Sequence, residues 1–128
     1  METILVVDDE PTVLTLCQRI LQLGGYNVVP APNGQEALRK LQNSPTPVDL
    51  ALIDIMMPGM NGTQLAVRIK AEHPNLPIVL MTGFSLAEVQ QVIGENNPYR
   101  IIWKPFKTES LLRMIENALG GTGSVTGL

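Results

Sequence analysis

Residues 4–24 read "ILVVDDEPTVLTLCQRILQLG": four apolar residues run straight into three acids and a proline, and helical periodicity follows. A short continuous apolar run is a strand buried on both faces, and apolar residues recurring every three or four positions are one face of a helix. Asp8, Asp9 and Glu10 stand at the junction. Taken alone they have a structural use, because acids are favoured around helix N-termini and Pro11 suits a first helical turn. The rest of the chain decides whether that is their main use.

The same unit recurs along the chain: "YNVVPA" then "GQEALRKLQN", "VDLALI" then "GTQLAVRIKAEH", "PIVLM" then "LAEVQQVIGEN", "RIIW" then "TESLLRMIENAL". With the first unit this makes five strand–helix pairs. Continuous apolar strands separated by helices imply a parallel sheet covered on both faces, and right-handed crossovers make it doubly wound. The expected class is therefore α/β. "SLAE" (Ser85–Glu88) is a capping box, and Pro74 and Pro77 close one helix and bracket the turn into the fourth strand. One domain is expected over residues 1–119; "GTGSVTGL" and the glycine before it, residues 120–128, read as a flexible Gly-rich tail or linker.

Bulk properties narrow the function. The 128 residues suffice for one core that buries roughly two-thirds of the unfolded surface. A net charge of −3 with no cluster of Lys and Arg argues against a nucleic-acid surface. Cys17 is the only cysteine, so neither an internal disulfide nor a cysteine metal site can form; it shares a helical face with Val13, Ile20 and Leu21 and is expected in the core. No apolar run has the length of a membrane span and no signal-like start is present, so a cytoplasmic location is expected. His73, before Pro74, is expected to end a surface helix.

In a parallel sheet the C-terminal ends of all strands share one edge, where α/β proteins bind ligands. Behind the first strand stand Asp8 and Asp9, behind the third Asp54, behind the fourth Thr82 and behind the fifth Lys104. Three carboxylates brought together repel, so they call for a cation or have raised pKa values. A hard divalent ion with oxygen ligands fits, and Mg²⁺, which keeps several waters, suits so few protein ligands. Lys104 and Thr82 are donors fit to hold phosphoryl oxygens. No Ser, Cys or His nucleophile stands at this edge, so a carboxylate is expected to attack phosphorus and form an aspartyl phosphate.

"LVVDDEP", "LIDIMMPGMNG", "VLMTG" and "WKPF" occur in an order and spacing similar to those of the receiver domains of two-component response regulators, and the resemblance covers residues 3 to about 119. It implies a flavodoxin-like fold with five strands in the order 2-1-3-4-5. It implies that Asp54 is the phospho-acceptor, that Asp9, Asp54 and the Met56 carbonyl hold Mg²⁺, and that Asp8 acts through metal-bound water. Thr82 and Lys104 would contact the phosphoryl group, Pro105 would follow a cis peptide bond, and Met56, Met57, Gly83 and Phe84 would flank the phosphosite. The implied donor is a phosphohistidine on a sensor histidine kinase or a histidine phosphotransfer domain. The implied output is a contact with an unidentified protein through the face of the fourth and fifth helices, by a monomer or weak dimer without membrane or nucleic acid. "MTGFS" and "IIWKPF" also resemble receivers of hybrid sensor histidine kinases.

Ile101 departs from the pattern, because many receivers carry an aromatic switch residue three positions before the lysine. Tyr99 and Trp103 lie two residues to either side, on the same strand face but displaced by roughly 7 Å. Three other readings are weighed. A dinucleotide-binding domain needs a Gly-rich turn where "DDEP" stands. An aspartate-nucleophile phosphohydrolase of the haloacid dehalogenase type normally has a second Asp two residues after the nucleophile, where this chain has Met56. A receiver-like interaction scaffold that is never phosphorylated is the alternative kept. The chain is expected to catalyse only its own phosphotransfer and slow dephosphorylation.

Overall fold

The computed structural model describes residues 1–94 and 98–120. Five parallel strands, β1 (Thr3–Val7), β2 (Asn27–Ala31), β3 (Leu50–Asp54), β4 (Ile78–Thr82) and β5 (Arg100–Trp103), form one sheet in the order β2-β1-β3-β4-β5. They alternate with α1 (Pro11–Leu23), α2 (Gly34–Asn43), α3 (Gly62–Glu72), α4 (Leu86–Ile93) and α5 (Thr108–Ala118). β1, β3 and β4 are buried throughout, which is why they read as unbroken apolar runs. β2 is an edge strand, where Pro30 removes no bond the sheet needs.

Side chains alternate across the sheet and divide the core in two. Leu5, Val7, Ala51, Ile53 and Leu80 pack with Ala37 of α2, Leu65, Ala66 and Ile69 of α3, and Val89 of α4. Ile4, Val6, Leu50, Leu52, Val79, Met81 and Ile102 pack with Cys17, Ile20 and Leu21 of α1 and Leu111 and Ile115 of α5. Cys17 has no exposed surface, and burial first, then the charge of Asp8, pushes its thiol up to about 12, so it remains protonated packing.

Local signals set the boundaries. Ser85 and Glu88 form the expected capping box on α4, the Ser85 hydroxyl accepting from the Glu88 N–H and the Glu88 carboxylate from the Ser85 N–H. Asn61 and Gln64 form a second on α3, and His73 caps that helix at its C-terminus. α4 ends at Ile93, followed by Gly94 with a φ of 80°, and the last two residues of the expected helical segment, 95 and 96, lie outside the described residues. Of the expected tail, only Gly120 is described, with a φ of 101°; the remainder lies outside the described residues. No helix among the described residues is long and apolar enough to cross a membrane.

At the opposite edge from the acids, the Thr3 N–H donates to the Asp49 carboxylate at 2.8 Å, which fixes the start of β1. The Thr3 hydroxyl is buried and has no partner among the described residues. A buried polar atom without a partner costs stability, so Thr3→Val is expected to raise it by up to about 1 kcal/mol. Chemical denaturation measures this, and a comparable loss would mean that the hydroxyl is bonded in solution.

Candidate acidic metal centre

Register aligns the strand ends: Val7 lies opposite Ala31 and Ile53, Asp54 opposite Met81, and Thr82 opposite Trp103. The polar residues that follow therefore meet at one edge. Asp8, just past β1, has no exposed surface; its Oδ1 accepts from the Glu10 N–H at 2.9 Å and its Oδ2 from Lys104 Nζ at 2.8 Å. Asp54 ends β3 and is buried, with its Oδ1 3.5 Å from Lys104 Nζ. Asp9 is exposed at the rim. One carboxylate oxygen from each of Asp8, Asp9 and Asp54 lies within 4.8 Å of the others.

Helix capping does not explain these acids. Glu10 is the N-cap of α1 but makes no side-chain capping bond, and no acid lies in the first turn. Their environment is instead electrostatically costly. Burial, then the neighbouring charge of Asp8, raises the Asp54 pKa to about 6, although Lys104 and the Met56 N–H oppose the rise. For Lys104 burial acts to lower the pKa, but the bond to Asp8 and the charges of Asp54 and Asp8 outweigh it and leave the ammonium favoured. The donors are all carboxylate oxygens, two buried and one open to water, and this set fits a hard divalent cation that retains waters.

Thr82, the last residue of β4, is fully buried, and its Oγ1 accepts from the Phe84 N–H at 3.1 Å. The Lys104 N–H donates to the Thr82 carbonyl at 2.7 Å, which ties the start of the β5–α5 loop to the end of β4. The Lys104–Pro105 peptide is cis. Gly83 lies beside Lys104, where a Cβ would stand 3.9 Å from the lysine Cβ. Met56 and Phe84 project outward, 38% and 39% exposed, so neither is part of the core, whereas Met57 is buried. The Met56 N–H donates to the Asp54 carboxylate. Ile101 is half-buried against the same core layer as Val89 and Tyr99.

Three contributors were not legible beforehand. Glu10 brings a carboxylate oxygen 3.9 Å from Lys104 Nζ. Gly62 packs on the backbone of Asp54, where a Cβ would lie 2.3 Å from the Asp54 carbonyl oxygen; the only signal for it was the turn-like "GMNG". Trp103 donates its indole N–H to the Phe84 carbonyl at 2.9 Å, a contact between residues 19 apart that no local pattern announces.

Residues 4–116 match the family described as response regulator receiver domain. A cyclic di-GMP phosphodiesterase of Thermotoga maritima is 33% identical over 91% of this chain, which spans 31% of that relative's length. Its named activity thus belongs to a much longer protein. The receiver domain of a signal transduction histidine kinase from Syntrophus aciditrophicus superposes with a TM-score of 0.82 at 31% identity, covering 94% of this chain and 92% of that one. The response regulator TrrA of Thermotoga maritima, solved in complex with Mg²⁺ and BeF, gives 0.78 at 32% identity over 92% and 99% of the two chains. With its five parallel strands in the order 2-1-3-4-5 and its acids gathered at their C-terminal ends, the chain belongs to the response regulator receiver domains.

Proposed function

We propose that this receiver domain is a signalling switch that accepts a phosphoryl group on Asp54 from a phosphohistidine of a sensor histidine kinase or histidine phosphotransfer domain. The observation that carries the reading is the meeting of Asp8, Asp9, Asp54 and Lys104 at the ends of strands that are distant in sequence. Asp9, Asp54 and the Met56 carbonyl would hold Mg²⁺, with Asp8 acting through its waters; that a similar receiver was solved with Mg²⁺ and BeF supports this choice of ion. When bound, the ion would offset the negative charge of the acids and of the incoming phosphoryl oxygens.

In the transfer an Asp54 carboxylate oxygen attacks phosphorus, the P–N bond breaks, and the imidazole leaves with the electron pair. Lys104, already beside Asp54, is within reach of the new phosphoryl oxygens, and the Thr82 hydroxyl retains its proton to donate. The carboxylate charge is lost as the phosphoryl group brings roughly −1.5 to −2, so about one negative charge is gained and is now carried on phosphoryl oxygens; this redistributes the bonds of Lys104 and Thr82, and the nearby loops and α4 carry the change to a protein partner. The domain thereby acts on its own acceptor, not on a metabolite.

Intact mass after incubation with Mg²⁺ and acetyl phosphate tests the reading. One added phosphoryl group is expected, absent from Asp54→Asn and from a metal-free sample. No adduct, together with no binding of beryllofluoride, would leave the domain as a protein-interaction scaffold. Met56 and Phe84 follow Asp54 and Thr82 by two residues each and are exposed, which supports a role in restricting an in-line water. Met56→Asn and Phe84→Ala are each expected to speed loss of the phosphoryl group by roughly tenfold, a barrier change of about 1.4 kcal/mol. An unchanged hydrolysis rate in both variants would remove this role.

A further inference from the structure

We propose that Trp103 is a positioning residue that links the acceptor site to the groove between α4 and β5, through the backbone of Gly83 and Phe84. The inference rests on the acceptor reading above. Phe84 is bonded on both sides: its N–H donates to Thr82 Oγ1 at 3.1 Å, and its carbonyl accepts the Trp103 indole N–H at 2.9 Å. The first bond reaches a buried hydroxyl at the acidic edge. The second reaches a half-open ring that lines the groove with Leu86, Val89 and Ile101.

Packing does little to hold the segment between them. The side chains of Phe84 and Leu86 are 39% and 57% exposed, and Gly83 has no side chain to anchor it. Its position is therefore set chiefly by hydrogen bonds, and a shift of one partner is passed to the next. A Thr hydroxyl that donates its proton to a phosphoryl oxygen still accepts from Phe84, so turning or moving it draws on the Phe84 backbone. The carbonyl on the far side then moves against the Trp103 indole. Ile101 is aliphatic and offers no hydrogen bond, so the link runs through Trp103, the next residue on the same strand face, whose ring is partly open to solvent.

The chain has one tryptophan, so the indole N–H gives a single assignable resonance in the ¹⁵N-labelled full chain. It is recorded with Mg²⁺ before and after acetyl phosphate, with occupancy read by intact mass on the same sample. In the unsubstituted protein the resonance is expected to shift in step with occupancy; in Thr82→Ala at matched occupancy the shift is expected to be lost. Trp103→Phe keeps a ring in the groove but no N–H, and is expected to leave the Leu86 and Val89 amide signals unresponsive to phosphorylation. A ring that merely fills the groove would preserve that response, which overturns the proposal even if Thr82→Ala takes up no phosphoryl group. An unmoved indole in fully phosphorylated protein also overturns it, as does an equal shift in Thr82→Ala. Failure to form any adduct would instead strike the acceptor reading, and this coupling with it.

Discussion

Gly62→Ala is expected to destabilise the domain by about 3 kcal/mol and to impair uptake of a phosphoryl group on Asp54. A Cβ at this position would lie 2.3 Å from the Asp54 carbonyl oxygen and 2.9 Å from the Ile55 Cα, closer than such atoms approach. Both neighbours are backbone, so no rotamer change relieves the overlap. The start of α3 is also tied to the end of β3 by the Gly62 N–H, which donates to the Ile55 carbonyl at 2.8 Å. Relief must therefore come from displacing the helix or Asp54 itself. Gly59→Ala is the matched comparison: its φ of 77° penalises alanine by roughly 1 kcal/mol, but open space surrounds it and Asp54 is untouched. Thermal melting and acetyl phosphate labelling of the two variants separate a backbone clash from a mere loss of glycine. Gly62→Ala protein with unaltered melting and labelling would contradict the packing argument.

The architecture was legible because its physics is local. Strands covered on both faces must be apolar throughout, helices between them must carry one apolar stripe, and both patterns stand in the sequence. The edge that gathers Asp8, Asp9, Asp54, Thr82 and Lys104 was legible for a related reason: once the strands are parallel, whatever follows them converges. Partnerships at that edge were not. Asp8, expected to act through metal-bound water, is buried and bonded to Lys104 at 2.8 Å, closer than the 3.5 Å from Lys104 to Asp54. A choice between carboxylates a few ångströms apart depends on side-chain reach and depth, which spacing along the chain does not encode. Gly62 and Trp103 escaped for the same reason, since each acts on backbone reached only through the fold. The end of α4 escaped for another: "GEN" continues a helical pattern acceptably, and only the backbone of Gly94 shows that the helix has stopped.

The arrangement at the edge carries a tension between stability and chemistry. Two buried carboxylates beside one ammonium are not neutralised by it, and the excess negative charge is held in a region of low dielectric. Without a divalent cation, this charge works against the fold. A bound cation would turn the same charge into the means of binding, so stability and cation affinity would be linked at this site.

Asp54→Asn is accordingly expected to stabilise the cation-free domain near neutral pH, by about 2 to 3 kcal/mol. The sign follows from the direction of the shift. Burial, reinforced by Asp8, raises the Asp54 pKa from 3.8 to about 6 in the folded protein. Below the lower value the carboxyl is protonated in both folded and unfolded chains and exacts no penalty. Between the two values the unfolded chain ionises while the folded chain retains its proton, so stability falls as pH rises. Above about 6 the penalty is complete and constant. Asparagine never ionises, so the advantage of the variant should grow from nothing near the lower value to its full size above the higher one. Mg²⁺ should act in the opposite sense, raising the melting temperature of the unsubstituted domain more than that of the variant. Melting curves across this pH range, with and without Mg²⁺, measure both effects without any phosphoryl transfer. A variant that melts no higher than the parent at neutral pH in the absence of cation would mean that Lys104 and the Met56 N–H fully offset the burial of Asp54.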